Sequence, residues 1–379
     1  MKLLFCIKGL HNSAGGAERV LTNVINGLSE RGNRIKLLSY DAPGKSSFYN
    51  INPDIEWIQL GIGSTHKKAT VSHTVKRMIS LRKRIQLLKP DLVIGFMHSM
   101  FIPLGAALYG TGIPVIASEH IVPEHYKSRK LEQFLLQLTP LFIKRFTCVS
   151  QQVKRLYPLH IRKKMIPIPN PVTVTTNARA DVTGTGKYRK TILSVGRLED
   201  QKDHATLIRS FKIIADEFPE WDLKIVGDGS LQNRLKTLAE NLGLTDRIQI
   251  PGSTKDISSE YLAAQLFVMP SLYESFGLTI VEAFAHGLPS IGFDDCPGVN
   301  TLIKPYYNGL LANAGNQRIL ALADALYTLM IDEEQRVNLA RNALKMADEY
   351  TIEPVLDQWQ ELFSHVSQNT PLTLQTESS

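Results

Sequence analysis

Pro270-Ser271-Leu272-Tyr273-Glu274-Ser275-Phe276-Gly277-Leu278-Thr279-Ile280-Val281-Glu282 follows an apolar run, 266–269, and continues to Gly287. The run reads as a buried strand that stops at Pro270, and a helix begins near Gly277. One carboxylate, Glu274, therefore sits in the loop and a second, Glu282, in the first turns of the helix, both facing one crevice. In an open parallel sheet, the crevice beyond the carboxyl end of a strand is where ligands bind, and the amides of a helix start favour anions. An ionised carboxylate only accepts hydrogen bonds, whereas a vicinal diol offers two donors. The stretch thus points to a phosphorylated, polyhydroxylated ligand. The same two acids would also serve as ordinary solvated acids at a helix start.

Upstream of this stretch, strands and helices alternate. A strand at 191–195 ends in Gly196-Arg197, with Lys202 just beyond and a helix from about His204 to Phe218. Strand 223–226 leads into Gly227-Asp228-Gly229, helix 231–242, strand 248–250, Pro251-Gly252-Ser253 and helix 258–264. Downstream come a turn and strand over 287–293, a crevice loop Asp294-Asp295-Cys296-Pro297-Gly298-Val299-Asn300, a short strand at 308–311, a helical stretch 317–366 and a polar tail 367–379 expected to be disordered. The alternation predicts a parallel sheet. Arg197 and Lys202 share one strand-to-helix connection, where a planar fork and a point charge can both reach a diphosphate. If a sugar–phosphate bond breaks there, the two cations stabilise the charge that develops on the leaving group. No divalent metal is then required. The chain has no D-x-D triplet, and the carboxylates of the adjacent Asp294 and Asp295 are expected to diverge.

The first half begins in the same way. Residues 2–7 read as a strand, 11–16 as a loop ending in Gly15-Gly16-Ala17-Glu18, and Val20, Leu21, Val24, Ile25 and Leu28 as the apolar face of a helix that stops at Gly32. The dinucleotide fingerprint G-x-G-x-x-G is absent, which argues against a nicotinamide dehydrogenase. Gly15 and Gly16 can let backbone approach a ligand, or form only a turn. Further strands are expected at 35–39, 55–60, 92–96, 115–118 and 146–149. Ser118-Glu119-His120 ends one of them, which makes His120 a candidate for chemistry although isolated histidines are often structural. The segment 73–89 reads as a basic amphipathic helix, with Val75, Met78, Ile79, Ile85 and Leu88 against Lys76, Arg77, Arg82, Lys83, Arg84 and Lys89. It suits an anionic membrane surface and equally an ordinary helix packed on a sheet. A second basic and apolar segment spans 127–145. From Pro167 the chain stiffens, and 171–190 reads as a linker.

At 379 residues, 43% hydrophobic and 21% charged, the chain is globular and long enough for two domains. Residues 1–168 carry 25 Lys and Arg against 9 Asp and Glu, a net +16; the remainder carries 18 against 27, a net −9. So basic a half calls for an anionic partner such as lipid headgroups, nucleic acid or a phosphorylated acceptor; no recognition motif favours nucleic acid. Cys6, Cys148 and Cys296 are far apart, so neither a disulfide framework nor a zinc site is indicated, and a reducing compartment is expected. The apolar start is too short for a signal peptide, and no run approaches the roughly 18 apolar residues of a membrane span.

The set Gly196-Arg197, Lys202, Gly227-Asp228-Gly229, Pro270-Ser271, Glu274-Ser275-Phe276-Gly277, Glu282 and Gly287-Leu288-Pro289 resembles the retaining glycosyltransferases of family four, whose E-x7-E motif is matched by Glu274 and Glu282. Gly15-Gly16-Ala17-Glu18 resembles the family's glycine-rich N-terminal loop, and Ser118-Glu119-His120 its active-site histidine region. The resemblance implies the GT-B fold: two doubly wound, Rossmann-like α/β domains facing across a cleft. The acceptor domain would span 1–170, the linker 171–190 and the nucleotide-sugar domain 191–350, with a C-terminal helix at 351–366 packing back on the first domain. It further implies that Arg197 and Lys202 bind the diphosphate, Glu282 the ribose and Glu274 the donor sugar. Gly196, Gly227, Asp228, Ser253 and Lys255 would frame the base and phosphates; Ser275, Phe276, Gly277 and Leu278 would bring amides to the sugar or phosphate. Gly16 would approach the diphosphate, and His120 the sugar's 6-hydroxyl or the acceptor. Asp294-Asp295-Cys296-Pro297-Gly298-Val299 departs from the family's usual Gly-Pro-x-Glu pattern. The expectation is a metal-independent, cofactor-free enzyme of the inner face of the cytoplasmic membrane, moving a hexose or N-acetylhexosamine, from UDP in preference, to a lipid-linked or envelope glycan. Its partners would be the nucleotide-sugar donor, the glycan acceptor and an anionic membrane, not nucleic acid. Sugar-nucleotide epimerisation, transfer to a soluble acceptor and a basic nucleic-acid-binding module are the rival readings.

Overall fold

The computed structural model describes residues 1–11, 15–63, 70–127, 129–172, 178–186 and 189–368. Its first sheet is built by β1 (Lys2–Cys6), β2 (Arg34–Ser39), β3 (Glu56–Gln59), β4 (Leu92–Phe96), β5 (Val115–Ser118), β6 (Arg145–Cys148) and β7 (Met165–Pro167), in the order β3-β2-β1-β4-β5-β6-β7. All neighbours are parallel; Phe5 of β1 sits opposite Leu37 on one side and Ile94 on the other. The strands are joined by α1 (Gly16–Glu30), α2 (Val71–Leu88), α3 (His98–Leu108), α4 (Lys130–Leu138), α5 (Gln151–Leu156) and α6 (Leu159–Arg162). β4 is buried along its whole length, as expected for a strand covered on both faces, and its unbroken Leu-Val-Ile-Gly-Phe run follows from that.

The second sheet contains β8 (Lys190–Val195), β9 (Trp221–Val226), β10 (Ile248–Gly252), β11 (Leu266–Met269), β12 (Ser290–Phe293) and β13 (Gly309–Ala312), in the parallel order β10-β9-β8-β11-β12-β13. Its helices are α7 (His204–Ile214), α8 (Gln232–Asn241), α9 (Ile257–Ala263), α10 (Leu278–Ala285), α11 (Pro297–Asn300), α12 (Arg318–Ile331) and α13 (Glu333–Ala347). Trp221, Phe211, Leu266, Val268, Ile291, Phe293 and Leu326 belong to one core beneath this sheet. Truncating a residue such as Phe211 there would cost about 3–5 kcal/mol.

The chain divides into Met1–Pro171 with Ile352–Ser379, and Val172–Thr351. The returning element is α14 (Ile352–Gln368), which packs on α1: Gly27 is tight against Leu356, and Arg31 pairs with Glu353 and Asp357. The helical stretch expected at 317–366 is thus three helices, because Asp332 caps α13 and Thr351 interrupts the next turn. Helix α14 includes residues 367–368; the rest of the expected tail, 369–379, lies outside the described residues.

The expected linker is not a free tether where it is described. The Val172 amide bonds the Tyr350 carbonyl at 2.8 Å, Ala180 bonds His286 at 2.8 Å, and the buried Arg336 holds the Val182 carbonyl at 2.9 Å. Threonine-rich composition hid these backbone anchors. Strand β7, ending in Pro167, was not foreseen either; a proline is tolerated there because the strand is short and at the sheet edge.

Candidate functional site

In the second unit the glycines at the strand ends form a floor of backbone. A Cβ on Gly227 (φ 150°) would lie 1.9 Å from the Gly196 carbonyl oxygen, and the Gly227 amide bonds Gly252 at 2.9 Å. Only glycine fits such an approach. A Cβ on Gly196 would sit 3.2 Å from Cε of Lys202, so the lysine stem crosses directly above this floor. Lys202 closes a single 3-10 turn after β8, before Asp203, in the left-handed region at φ 47°, caps α7 through the Thr206 amide.

The Lys202 ammonium meets the Glu274 carboxylate, both side chains largely buried. Oε1 of Glu274 also accepts from the Ser271 hydroxyl at 3.1 Å. Gln201 bonds the Tyr273 carbonyl at 2.8 Å and offers its own carbonyl to the Leu272 amide at 2.9 Å. The connection after β8 is therefore stitched to the loop after β11, and two residues expected to act on different parts of a ligand form one ion pair. Arg197 stays exposed, 3.5 Å from the Gln201 side chain.

Glu274 is held from below as well. Its carbonyl accepts from the Gly298 amide at 3.1 Å, and a Cβ on Gly298 would come within 2.8 Å of three of its neighbouring atoms, the Phe276 amide nitrogen among them. The Pro297-Gly298 pair was the available signal for this approach. In the same loop Asp294 accepts from the Ala314 amide and Asp295 from Arg318, each at a different partner. Among the described residues there is no cluster of three His, Cys, Asp or Glu able to hold a metal ion.

Gly277, at φ 87°, starts α10 without a side-chain cap, so the amides of Leu278 and Thr279 face the loop unclaimed by any side chain of their own turn. The Phe276 ring is core, edge-on to Tyr350 at 5.5 Å. Ser275 is half-buried beside it. Thr279 had not been singled out: its hydroxyl is buried in the first turn of α10 and has no protein partner. An unpaired hydroxyl beside open amides is what a phosphoryl group would satisfy.

Glu282 is only 5% exposed, deeper than a crevice-facing acid was expected to be. Its Oε2 accepts from the Tyr261 hydroxyl of α9 at 2.8 Å. Tyr261 stacks on His286 at 5.0 Å, and His286 bridges the Glu282 carbonyl and the Ser258 hydroxyl, each at 2.7 Å. No motif in the sequence announced Tyr261, because its partner comes from the next connection. Asp228 accepts from the Ser253 amide at 3.1 Å, tying the β9 and β10 ends together; Lys255 is exposed nearby in sequence, before the Asp256 cap of α9.

In the first unit, Gly16 opens α1 and Gly15 caps it without a side chain; a Cβ on Gly15 would lie 2.2 Å from the Glu18 carboxylate. Residues 12–14 of that loop lie outside the described residues. His120 stands two residues past β5, stacked on Phe96 at 4.9 Å, with Trp359 of α14 stacked on the other side of Phe96. Thr147 donates to Ser118, whose hydroxyl is 2.8 Å from His120 Nε2. If Ser118 donates onward, the ring proton sits on Nδ1, whose neighbour is the Asn170 side chain, not in a well-formed hydrogen bond. Burial lowers the His120 pKa to about 4, so the ring is neutral and can donate at physiological pH. Glu119, not foreseen as a participant, is buried with its pKa pushed up to about 7 by desolvation; it accepts from the His120 and Ile121 amides and from Tyr126 at 2.6 Å. It pins the loop that carries His120.

Two family models match the chain: Glycosyltransferase Family 4 over residues 14–176 and Glycosyl transferases group 1 over residues 177–346. The chain is 28% identical over 353 residues to an uncharacterized glycosyltransferase of Haemophilus influenzae, covering 92% of this chain and 96% of that one. It is 24% identical, over 97% and 99% of the two chains, to the Campylobacter jejuni GalNAc-alpha-(1->4)-GalNAc-alpha-(1->3)-diNAcBac-PP-undecaprenol alpha-1,4-N-acetyl-D-galactosaminyltransferase. Among solved structures, the Anabaena HepE protein in complex with UDP superposes with a TM-score of 0.76 at 19% identity, covering 96% of this chain and all of that one. Likeness at this identity speaks for the fold, two Rossmann-like units of the GT-B class.

Proposed function

The chain belongs to glycosyltransferase family four, and from that premise we propose a metal-independent, retaining enzyme that moves a hexose or N-acetylhexosamine from a nucleotide-diphosphate sugar, UDP in preference, to a lipid-linked or envelope glycan. The observation that carries this reading is the buried Lys202–Glu274 pair beside the uncapped start of α10. The pair supports the reading because it offers a cation and open amides to a leaving diphosphate and a carboxylate to sugar hydroxyls. Arg197, exposed on the same connection, reaches the same diphosphate. Glu282, oriented by Tyr261, receives the ribose diol. The acceptor hydroxyl attacks from the face the diphosphate leaves, and a departing phosphate oxygen takes its proton, so the chemistry needs no protein nucleophile. His120 serves the acceptor side as a neutral hydrogen-bond donor.

The similar proteins support donor and acceptor classes: the HepE structures hold UDP and UDP-glucose, and the Campylobacter relative acts on an undecaprenol-linked glycan. Work at the inner face of the cytoplasmic membrane fits the surface of α2, where Val75, Ile79 and Leu87 are exposed among Lys76, Lys83 and Arg84, while Arg77 and Arg82 turn inward onto backbone carbonyls. Leu131, Phe134, Leu138 and Leu141 are likewise exposed. No helix among the described residues is long and apolar enough to cross a membrane. A panel of UDP- and GDP-sugars, scored for hydrolysis or transfer with product mass measured, tests the reading. Turnover of a UDP-sugar with the anomeric configuration kept is expected; no turnover of any donor, or inversion, would overturn it.

A further inference from the structure

The first unit holds a second group of polar side chains, besides His120, at the carboxyl ends of β1, β2 and β4. Lys8 lies two residues past β1, and its carbonyl accepts from the Tyr40 amide, just past β2, at 3.2 Å. Arg77 of α2 lays its guanidinium over the Tyr40 ring at 4.3 Å and donates from Nε to the Ile62 carbonyl at 3.0 Å. The nearby acid, Glu132 of α4, is shared between His98 at 3.2 Å and Arg129 at 3.3 Å. The Lys8 side chain is half-buried and makes no hydrogen bond or ion pair with any described residue. Its ammonium is pulled below its ordinary pKa first by burial and then by Arg77, with Glu132 acting weakly the other way. A half-buried ammonium that a second cation repels is stabilised by an anion.

Two further groups at the same end of the sheet lack partners. The Tyr40 hydroxyl is buried and unsatisfied. His98 presents Nε2 to Glu132, and burial lowers its pKa to about 4, so the neutral ring donates there and leaves Nδ1 as a buried acceptor without a donor. Native proteins rarely leave such atoms unpaired.

We infer that Lys8 and Arg77, with the Tyr40 hydroxyl, form a subsite for a phosphoryl group, and that His98 Nδ1 accepts from a hydroxyl of the molecule that carries it. Calling that molecule the glycan acceptor rests on the function proposed above; the phosphoryl subsite does not. Two cations, one a planar fork and one a point charge, suit a phosphoryl oxygen set better than a single carboxylate.

Amine-reactive labelling of the native protein, read lysine by lysine by mass spectrometry, tests this. A lysine of lowered pKa labels readily, and inorganic pyrophosphate at constant ionic strength should slow Lys8 labelling by about fivefold or more as its ammonium becomes charge-paired. In the Arg197→Ala variant that protection should persist while protection of Lys202 falls, which separates this subsite from the donor's. Phosphatidylglycerol vesicles set against phosphatidylcholine vesicles tell a lipid phosphate from one presented in solution. Lys8 unprotected by both pyrophosphate and anionic vesicles, or protected equally by glucuronate, overturns the subsite. Lys8 protected in a protein that turns over no sugar nucleotide leaves the subsite standing and removes the acceptor assignment.

Discussion

The ligand ends of the two sheets differ in how far their cations are already paired with acids. In the second unit Lys202 meets Glu274, Tyr261 holds Glu282, Arg318 meets Asp295 and Asp228 accepts from the Ser253 amide, while the Thr279 hydroxyl, His204 Nε2 and two guanidinium nitrogens of Arg318 have no partner among the described residues. In the first unit the Lys8 ammonium, the Tyr40 hydroxyl and His98 Nδ1 all lack partners among the described residues. The same contrast appears in charge, +16 over residues 1–168 against −9 over the rest. A pre-paired end is rigid before its ligand arrives, which suits a donor whose diphosphate and ribose do not vary. An end with unsatisfied cations is completed by the ligand itself, which suits an anionic acceptor.

The contrast breaks most visibly at Lys202. Lys202→Ala leaves Glu274 buried without its cation and, on the proposed function, removes a diphosphate contact, so kcat on the preferred donor should fall by about 10²–10³-fold. Lys202→Ala/Glu274→Ala should lose less than the sum of the single losses, because the pair acts as a unit. Strictly additive losses in that cycle would show that the two side chains act separately. Next in size, Tyr261→Phe deletes the hydroxyl that orients Glu282. Donor KM should rise by about five- to twentyfold, near 1–2 kcal/mol, with kcat and melting temperature little changed. An unchanged KM would remove Tyr261 from the site.

Stability against pH sharpens the first unit's side of the contrast. The Glu119 pKa is raised from 4.5 to about 7, so the folded state holds its proton more tightly than the unfolded one. Stability from this group is full below pH 4.5 and is lost as pH rises through about 7. His98 and His120, both lowered to about 4, act oppositely, losing stability as pH falls through that value. The informative quantity is therefore the melting-temperature difference between Glu119→Gln and wild type. It should favour the variant increasingly from pH 5 to pH 8; a difference independent of pH would mean that Glu119 ionises normally. The smallest expected effect is at the membrane: Lys83→Glu with Arg84→Glu should reduce flotation with anionic liposomes, each cation near the surface being worth about 1 kcal/mol. Unchanged flotation would exclude that face of α2.

The fold was legible because parallel strands buried on both faces are written as short apolar runs. Leu92–Phe96, Val115–Ser118 and Leu266–Met269 coincide with their runs residue for residue. β7 was not legible, since three residues ending in proline carry no period, and α3 was hidden because its Met-Phe-Ile-Pro-Leu interior is apolar on every side and holds Pro103. Within the donor end, sequence spacing brought Arg197, Lys202 and Glu274 to one place, yet it could not show that Lys202 and Glu274 neutralise each other. Tyr261 and Gly298 escaped notice because each acts through a partner on another connection, and contact across connections leaves no mark in local spacing; Thr279 escaped because an unpaired hydroxyl leaves none either. Lys8 looked like one charge among many until its missing partner became visible.

The most direct measurement compares steady-state constants for Glu282→Ala and Lys202→Ala on the donor the panel selects. Glu282→Ala should raise KM while largely sparing kcat, and Lys202→Ala should depress kcat with a smaller change in KM. Wild-type constants in both variants would contradict the placement of a nucleotide-sugar site at this end of the second sheet.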